Sequence, residues 1–156
     1  MGHNTALSFS SSCRRDLLPG GLGIVSQSGS LAGALLQMSQ REGVGLSKWM
    51  STGNEVDITL LDILEYYVES PTVEIAVAFI EGVSDGTRLR NIGRRALETG
   101  TPIVAIKAGD SDAGQKAISS HTGRISDTTE MYDAAFDETG IVRFNSIREY
   151  LDVLEA

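Results

Sequence analysis

Two runs, Glu74–Ile80 and Pro102–Lys107, are apolar almost without interruption and rich in Ile, Val and Ala. A strand wet on one face alternates apolar with polar residues. Strands that are apolar throughout are therefore buried on both faces, in a parallel sheet covered by helices. The segment between them, about Gly86–Thr99, puts Leu89, Ile92 and Ala96 on one helical stripe, which supplies the crossover that parallel strands require.

The rest of the chain alternates in the same way. Leu22–Ser26 is a short apolar run, after which Gln27-Ser28-Gly29-Ser30 opens a helix from Leu31 to about Arg41. Val44–Ser51 reads as a second strand, closed by Thr52-Gly53-Asn54, and Asp57 as the cap of a helix carrying Leu60, Leu61, Leu64, Tyr67 and Val68. Beyond Lys107 the pattern gives helices over Ala113–Ser120 and about Asp127–Glu138, a fifth strand at Gly140–Phe144 and a last helix capped by Ser146. Five strands alternating with helices predict an α/β fold: a flavodoxin-like, doubly wound parallel sheet of order 2-1-3-4-5 with helices on both faces. Residues 1–20, with their serines, Arg14-Arg15 and Pro19-Gly20, read as an extension or the edge of an expressed fragment. Residues 21–156 read as one domain.

Composition excludes several function classes. With 13 basic and 21 acidic residues the net charge is −8, which argues against nucleic-acid binding. No apolar run approaches the ~18 residues a membrane span needs, and the N-terminus lacks a signal-type apolar core. The single cysteine, Cys13, cannot form an internal disulfide, so the expected compartment is the reducing cytoplasm. One cysteine and two histidines at unrelated positions give no metal-ligand spacing.

In a doubly wound sheet, ligands bind at the carboxyl ends of the strands, near the switch in strand order. Ser26, Ser28, Gly29 and Ser30 fall there, as a hydroxyl-rich turn entering a helix. Such a turn is either an anion cradle or an ordinary helix cap. Gly21 and Gly23 lie at the start of the first strand, so the turn is not a dinucleotide fingerprint, and no Walker-type loop is present. Gly53 and Asn54 follow the second strand in what reads as a turn, and are possible substrate-side positions. Glu81 ends the third strand, and Lys107, a strand terminator or a substrate-side cation, ends the fourth. Arg88, Arg90, Arg94 and Arg95 form either a phosphate grip or a solvated helix face. His121, in Ser119-Ser120-His121-Thr122-Gly123, is the one histidine outside the ragged N-terminus. It is a surface residue or, with Glu81 to orient it, a nitrogen nucleophile.

Taken in order, Gly23-Ile24-Val25-Ser26-Gln27-Ser28-Gly29-Ser30-Leu31, Ser51-Thr52-Gly53-Asn54-Glu55-Val56-Asp57, Ile80-Glu81-Gly82-Val83, Lys107-Ala108-Gly109 and Ser120-His121-Thr122-Gly123 form a series. The series resembles the succinyl-CoA-ligase-like flavodoxin domain of the NDP-forming acyl-CoA synthetases, over roughly Gly21 to Phe144. The resemblance implies interconversion of acyl-CoA, NDP and phosphate with free acid, CoA and NTP, through an acyl phosphate and a phosphohistidine. It implies that His121 is that histidine and Glu81 its positioning glutamate, with Ser26, Ser28, Gly29, Ser30 and Gly123 around the phosphate. It further implies no tightly bound cofactor in this domain, with CoA and Mg-nucleotide used by a complete enzyme. That enzyme adds a CoA-binding Rossmann domain and an ATP-grasp domain or subunit, acts on a small carboxylic acid, and can pair into a homo-oligomer. Neither added module fits in 156 residues, so the chain is expected to be an excised domain or one subunit, without a complete turnover. The chain departs from many relatives in continuing past Gly123 as Arg124-Ile125-Ser126-Asp127, where small residues are usual. Two competitors stand beside this reading. One is a non-catalytic regulatory or scaffold domain of an acyl-CoA-synthetase-like protein acetyltransferase, which commonly lacks the histidine. The other is a flavodoxin-type electron carrier, against which stands the lack of flanking aromatics, since Trp49 lies within a strand.

Overall fold

The computed structural model describes residues 17–108, 129–146, 149, 150, 152 and 154, the side chains of 129 and 130 excepted. The expected helix Ala113–Ser120 lies outside them, as do His121, Gly123, Arg124, Asp127, Gly109 and Cys13. The described elements are β1 (Pro19–Ser26), α1 (Gly29–Arg41), β2 (Leu46–Ser51), α2 (Leu60–Val68), β3 (Ile75–Ile80), α3 (Gly86–Thr99), β4 (Ile103–Lys107), α4 (Thr129–Thr139) and β5 (Val142–Arg143). The five strands are all parallel, in the order β2-β1-β3-β4-β5. This is the expected α/β flavodoxin-like sheet.

The two faces are legible in the alternation along each strand. Val25, Ala76, Ala78, Ile80, Ile103 and Ala105 enter one core with α2, α3 and α4. Leu22, Ile24, Val77 and Val104 enter the other, with Leu35 and Leu36 of α1 and with Phe144 and Tyr150. Both faces of β3 and β4 are thus dry, which is why their sequences are apolar throughout. Tyr67 packs against β1 and donates its buried hydroxyl to the Ile24 carbonyl at 3.0 Å. Gly23 makes that approach possible, because a Cβ there would stand 2.9 Å from Val73 and 3.0 Å from the Tyr67 ring. On the opposite face Tyr150 bonds Ser39 at 2.5 Å, and burial pushes its phenol up to about 12.

Several element ends differ from the sequence reading. β1 begins at Pro19 rather than Leu22, and β2 at Leu46 rather than Val44. The fifth strand shrinks to Val142–Arg143 because only those residues pair with β4. The cap of α2 is Thr59, not Asp57. Thr59 and Asp62 form a reciprocal capping box: the Thr59 N–H donates to Asp62 at 2.7 Å and the Asp62 N–H to the Thr59 hydroxyl at 3.3 Å. Asp57, two residues earlier, has no such partner at the third helical position.

The Asp62 carboxyl is held down at about 2, first by the Thr59 hydroxyl and then by the Thr59 backbone and Arg88, against an ordinary 3.8. Its folded value lies below its unfolded one. The stabilisation is therefore complete above about pH 4 and is lost as pH falls towards 2. Asp62→Asn is expected to remove that part of the acid limb. Thermal unfolding followed from pH 5 to pH 2 should show a shallower drop for the variant than for the parent chain.

The arginines of α3 form neither a phosphate grip nor a merely solvated face. Arg88 pairs with Asp62 and Glu65 of α2, Arg95 with Glu98 and with Glu69, the C-cap of α2, and Arg90 and Arg94 with Glu138 of α4. These pairs are half exposed and screened by solvent, so each contributes little to stability. Together they fix how α3 sits between its neighbours. Among the described residues no helix is long and apolar enough to cross a membrane.

Candidate functional site

β1 is hydrogen-bonded to both β2 and β3, so the residues following its carboxyl end stand between the two flanking loops. Ser26 is fully buried and ends the strand. Its hydroxyl donates to the Ser28 carbonyl at 2.7 Å and accepts from the Ser28 N–H at 3.0 Å, so it shapes the turn from inside. Ser28 is the N-cap of α1: its hydroxyl accepts from the Leu31 N–H at 3.4 Å and lies 3.2 Å from the Ser30 hydroxyl. Gly29 and Ser30 are exposed, in the first turn, where backbone N–H groups have no acceptor within the helix. A Cβ on Gly29 would meet only Ser51 Oγ, at an ordinary 3.6 Å, so packing does not require glycine there.

After β2 the chain turns through Gly53 at φ +57° and Glu55 at φ +54°. The second value is uncommon for a residue with a side chain. Gly53 and Asn54 are exposed at the tip. The Glu55 carboxylate points back, and its Oε1 accepts from Thr52 Oγ1 at 3.0 Å, from the Leu60 N–H at 2.8 Å and from Gln27 Nε2 at 2.8 Å.

The loop after β3 is held by side chains from its neighbours. Gln27 Oε1 accepts from the N–H of Glu81 at 2.6 Å and of Gly82 at 3.1 Å, and Gln27 Nε2 donates to the Gly82 carbonyl at 2.7 Å. Lys107, only 4% exposed, donates to the Glu81 carbonyl at 3.0 Å and the Ala108 carbonyl at 2.5 Å, and its ammonium lies 4.9 Å from the centre of the Tyr132 ring. Tyr132 in turn accepts the Val83 N–H at 2.9 Å. Five backbone groups in three successive residues are therefore fixed from β1, β4 and α4. The side chain of Glu81 is different: partly exposed, and without a hydrogen bond or ion pair among the described residues.

The structure thus gathers Ser28, Gly29, Ser30, Glu55, Glu81 and Lys107 around the carboxyl ends of β1, β3 and β4, with Gly53 and Asn54 at the rim. Lys107 points inward to backbone carbonyls, which ties it to loop geometry. Gln27 and Glu55, to which the sequence alone assigns no role, join the loops to one another. An amide and a carboxylate inside a turn give no periodic signal. Their shared role becomes visible once three loops lie side by side. Among the described residues no cluster of three or more His, Cys, Asp or Glu side chains could hold a metal ion.

Residues 19–156 match the family model of the succinyl-CoA ligase like flavodoxin domain. The chain belongs to that family. It is 39% identical over 137 residues to the α subunit of the ADP-forming acetate–CoA ligase I of Pyrococcus furiosus, covering 88% of this chain and 29% of that protein. To the ADP-forming acetate–CoA ligase of Methanocaldococcus jannaschii it is 38% identical over 135 residues, covering 86% of this chain and 19% of the relative. In three dimensions it superposes on the dinucleotide forming acetyl-coenzyme A synthetase 1 of Ca. Korarchaeum cryptofilum, solved in complex with phosphate and ADP, with a TM-score of 0.83 and 30% identity. That match covers 91% of this chain and 31% of the other. This succinyl-CoA-ligase-like flavodoxin domain thus spans less than a third of the length of these relatives.

Proposed function

We propose that this domain is the phosphohistidine carrier of an NDP-forming acyl-CoA synthetase, with His121 as the carrier and Glu81 as the carboxylate that positions it. The observation that carries the reading is the clamped loop after β3. Its backbone is fixed at five points, yet the side chain of Glu81 has no partner among the described residues. A carboxylate held this way is pre-organised for a group it has still to meet, and evolution gains nothing for stability from it.

Phosphate attacks the acyl-CoA carbonyl, the carbon–sulfur bond breaks, and acyl phosphate and CoA result. One imidazole nitrogen of His121 then attacks the phosphorus. The nitrogen–phosphorus bond forms as the phosphorus–oxygen bond to the acyl group breaks, and the carboxylic acid leaves as its carboxylate. A terminal oxygen of the NDP finally takes the phosphoryl group and restores the imidazole. Glu81 accepts the proton-bearing ring nitrogen's hydrogen bond, which leaves the other nitrogen free to attack and stabilises the positive charge that develops. The first-turn amides of α1 at Gly29 and Ser30, with the Ser28 hydroxyl, offer the phosphoryl oxygens donors and the positive end of a helix dipole. A glycine that packing does not require leaves room for a phosphate to reach those amides.

In this reading the domain holds no tightly bound cofactor. CoA, Mg-nucleotide and a small carboxylic acid are substrates of a complete enzyme, to which a CoA-binding Rossmann domain and an ATP-grasp domain or subunit contribute. A covalent carrier splits the reaction into halves that run separately. The complete enzyme is expected to exchange label between ADP and ATP with neither CoA nor acid present. Exchange that requires all substrates together would contradict a carrier.

A further inference from the structure

Gln27 satisfies a demand that few side chains can meet. It follows β1, the strand that lies between β2 and β3, so its side chain is placed to touch both flanking loops. It is 6% exposed, and its amide uses its full bonding capacity of two accepted and two donated bonds. Oε1 takes the N–H groups of Glu81 and Gly82, while Nε2 gives to the Gly82 carbonyl and to Glu55 Oε1. Two donors on one side and two acceptors on the other fix which way the amide faces. A carboxylate at 27 would set a second anionic oxygen against Glu55 and the Gly82 carbonyl, and that repulsion would push the side chain off the two N–H groups it now accepts. An aliphatic side chain would break all four of these bonds at once.

Glu55 is itself constrained. Its positive φ is a conformation that a non-glycine residue keeps where its surroundings over-determine it. Here they do, since its Oε1 also joins Thr52 and the first turn of α2 at Leu60. The chain of contacts runs from the β2–α2 turn through Glu55 and Gln27 to the backbone of Glu81.

We propose that Gln27 is a positioning residue for the Glu81 carboxylate, and that Glu55 sets Gln27, so the β2–α2 turn and the loop after β3 act as one body. The proposal rests on the function assigned above to Glu81 for its effect on turnover, though not for the contacts themselves. Displacing a catalytic group by about 1 Å costs up to about 100-fold in rate.

The test compares Gln27→Glu, Glu55→Gln and the double exchange in the complete enzyme, beside amide hydrogen exchange on the 156-residue chain. Gln27→Glu is expected to lower kcat by roughly 10- to 100-fold with KM values changed less than about twofold. The double exchange restores a donor facing a carboxylate between 27 and 55, and is expected to recover about tenfold of the loss. In the isolated chain, Gln27→Glu should speed exchange at the Glu81 and Gly82 amides, and the double exchange should slow it again. An unchanged kcat, a loss confined to KM, or no recovery in the double exchange would overturn the positioning role. Unaltered amide exchange would overturn the contact itself. If His121→Asn kept full turnover while the amides responded as stated, the carrier reading would fall and the coupling between the two loops would stand.

Discussion

Replacing His121 with Asn in the complete enzyme is expected to lower turnover by at least about 10⁴-fold and to leave the sheet of this chain intact. On the proposed carrier role, asparagine keeps a side-chain N–H for the Glu81 carboxylate. It has no basic ring nitrogen to accept a phosphoryl group, so both half-reactions stop. Steady-state rates measured beside circular dichroism of the isolated chain separate the two effects. Turnover within about tenfold of the parent would mean that phosphoryl transfer bypasses this residue.

Glu81→Gln has the second largest expected effect, a fall of roughly 10²- to 10³-fold in the rate of enzyme phosphorylation. The amide keeps the shape and one acceptor but loses the charge that stabilises a developing imidazolium. Since the carboxylate has no partner among the described residues, the unfolding free energy should change by no more than about 0.5 kcal/mol. Single-turnover phosphorylation and thermal unfolding of the same variant decide the matter. A normal rate, or a loss of more than about 2 kcal/mol with the rate unaffected, would make Glu81 a structural residue.

The parts of this fold that the sequence announces are those where burial alone dictates composition. β3 and β4 are covered on both faces, and their apolar runs mark them to within a residue, at Ile75 against Glu74 and Ile103 against Pro102. The helix between them has the ends expected from its Leu89, Ile92 and Ala96 stripe; in the structure Asp85 caps it and Gly100, at φ +74°, stops it. The cap of α2 was open to error because Asp57 and Thr59 are both good capping residues. Asp62, three positions after Thr59, decides between them, and that signal is in the sequence. The arginines of α3 likewise have their explanation in the spacing of Asp62, Glu65 and Glu69, which puts an acidic stripe on the facing helix.

The site divides along a different line. Glu81, Lys107 and the Ser26–Ser30 turn were found because strand ends are where such sheets bind ligands. What fixes them was not found. Gln27 and Glu55 act through hydrogen bonds between residues 28 and 55 positions apart, which no local pattern encodes. Ser26, read as part of a cradle, is buried and closes its own turn, while Gly29 and Ser30 face outward. Residue type told which groups have chemistry; only the packing of three loops told which of them hold the others in place.

Intact-mass measurement of the complete enzyme after incubation with Mg-ATP, kept at alkaline pH where phosphohistidine survives and with His121→Asn as control, reads the carrier itself. One added phosphoryl group is expected on the polypeptide bearing this domain, lost on brief acid treatment and absent from the variant. An enzyme that turns over yet gains no phosphoryl group, or gains it equally in the variant, would contradict the carrier role.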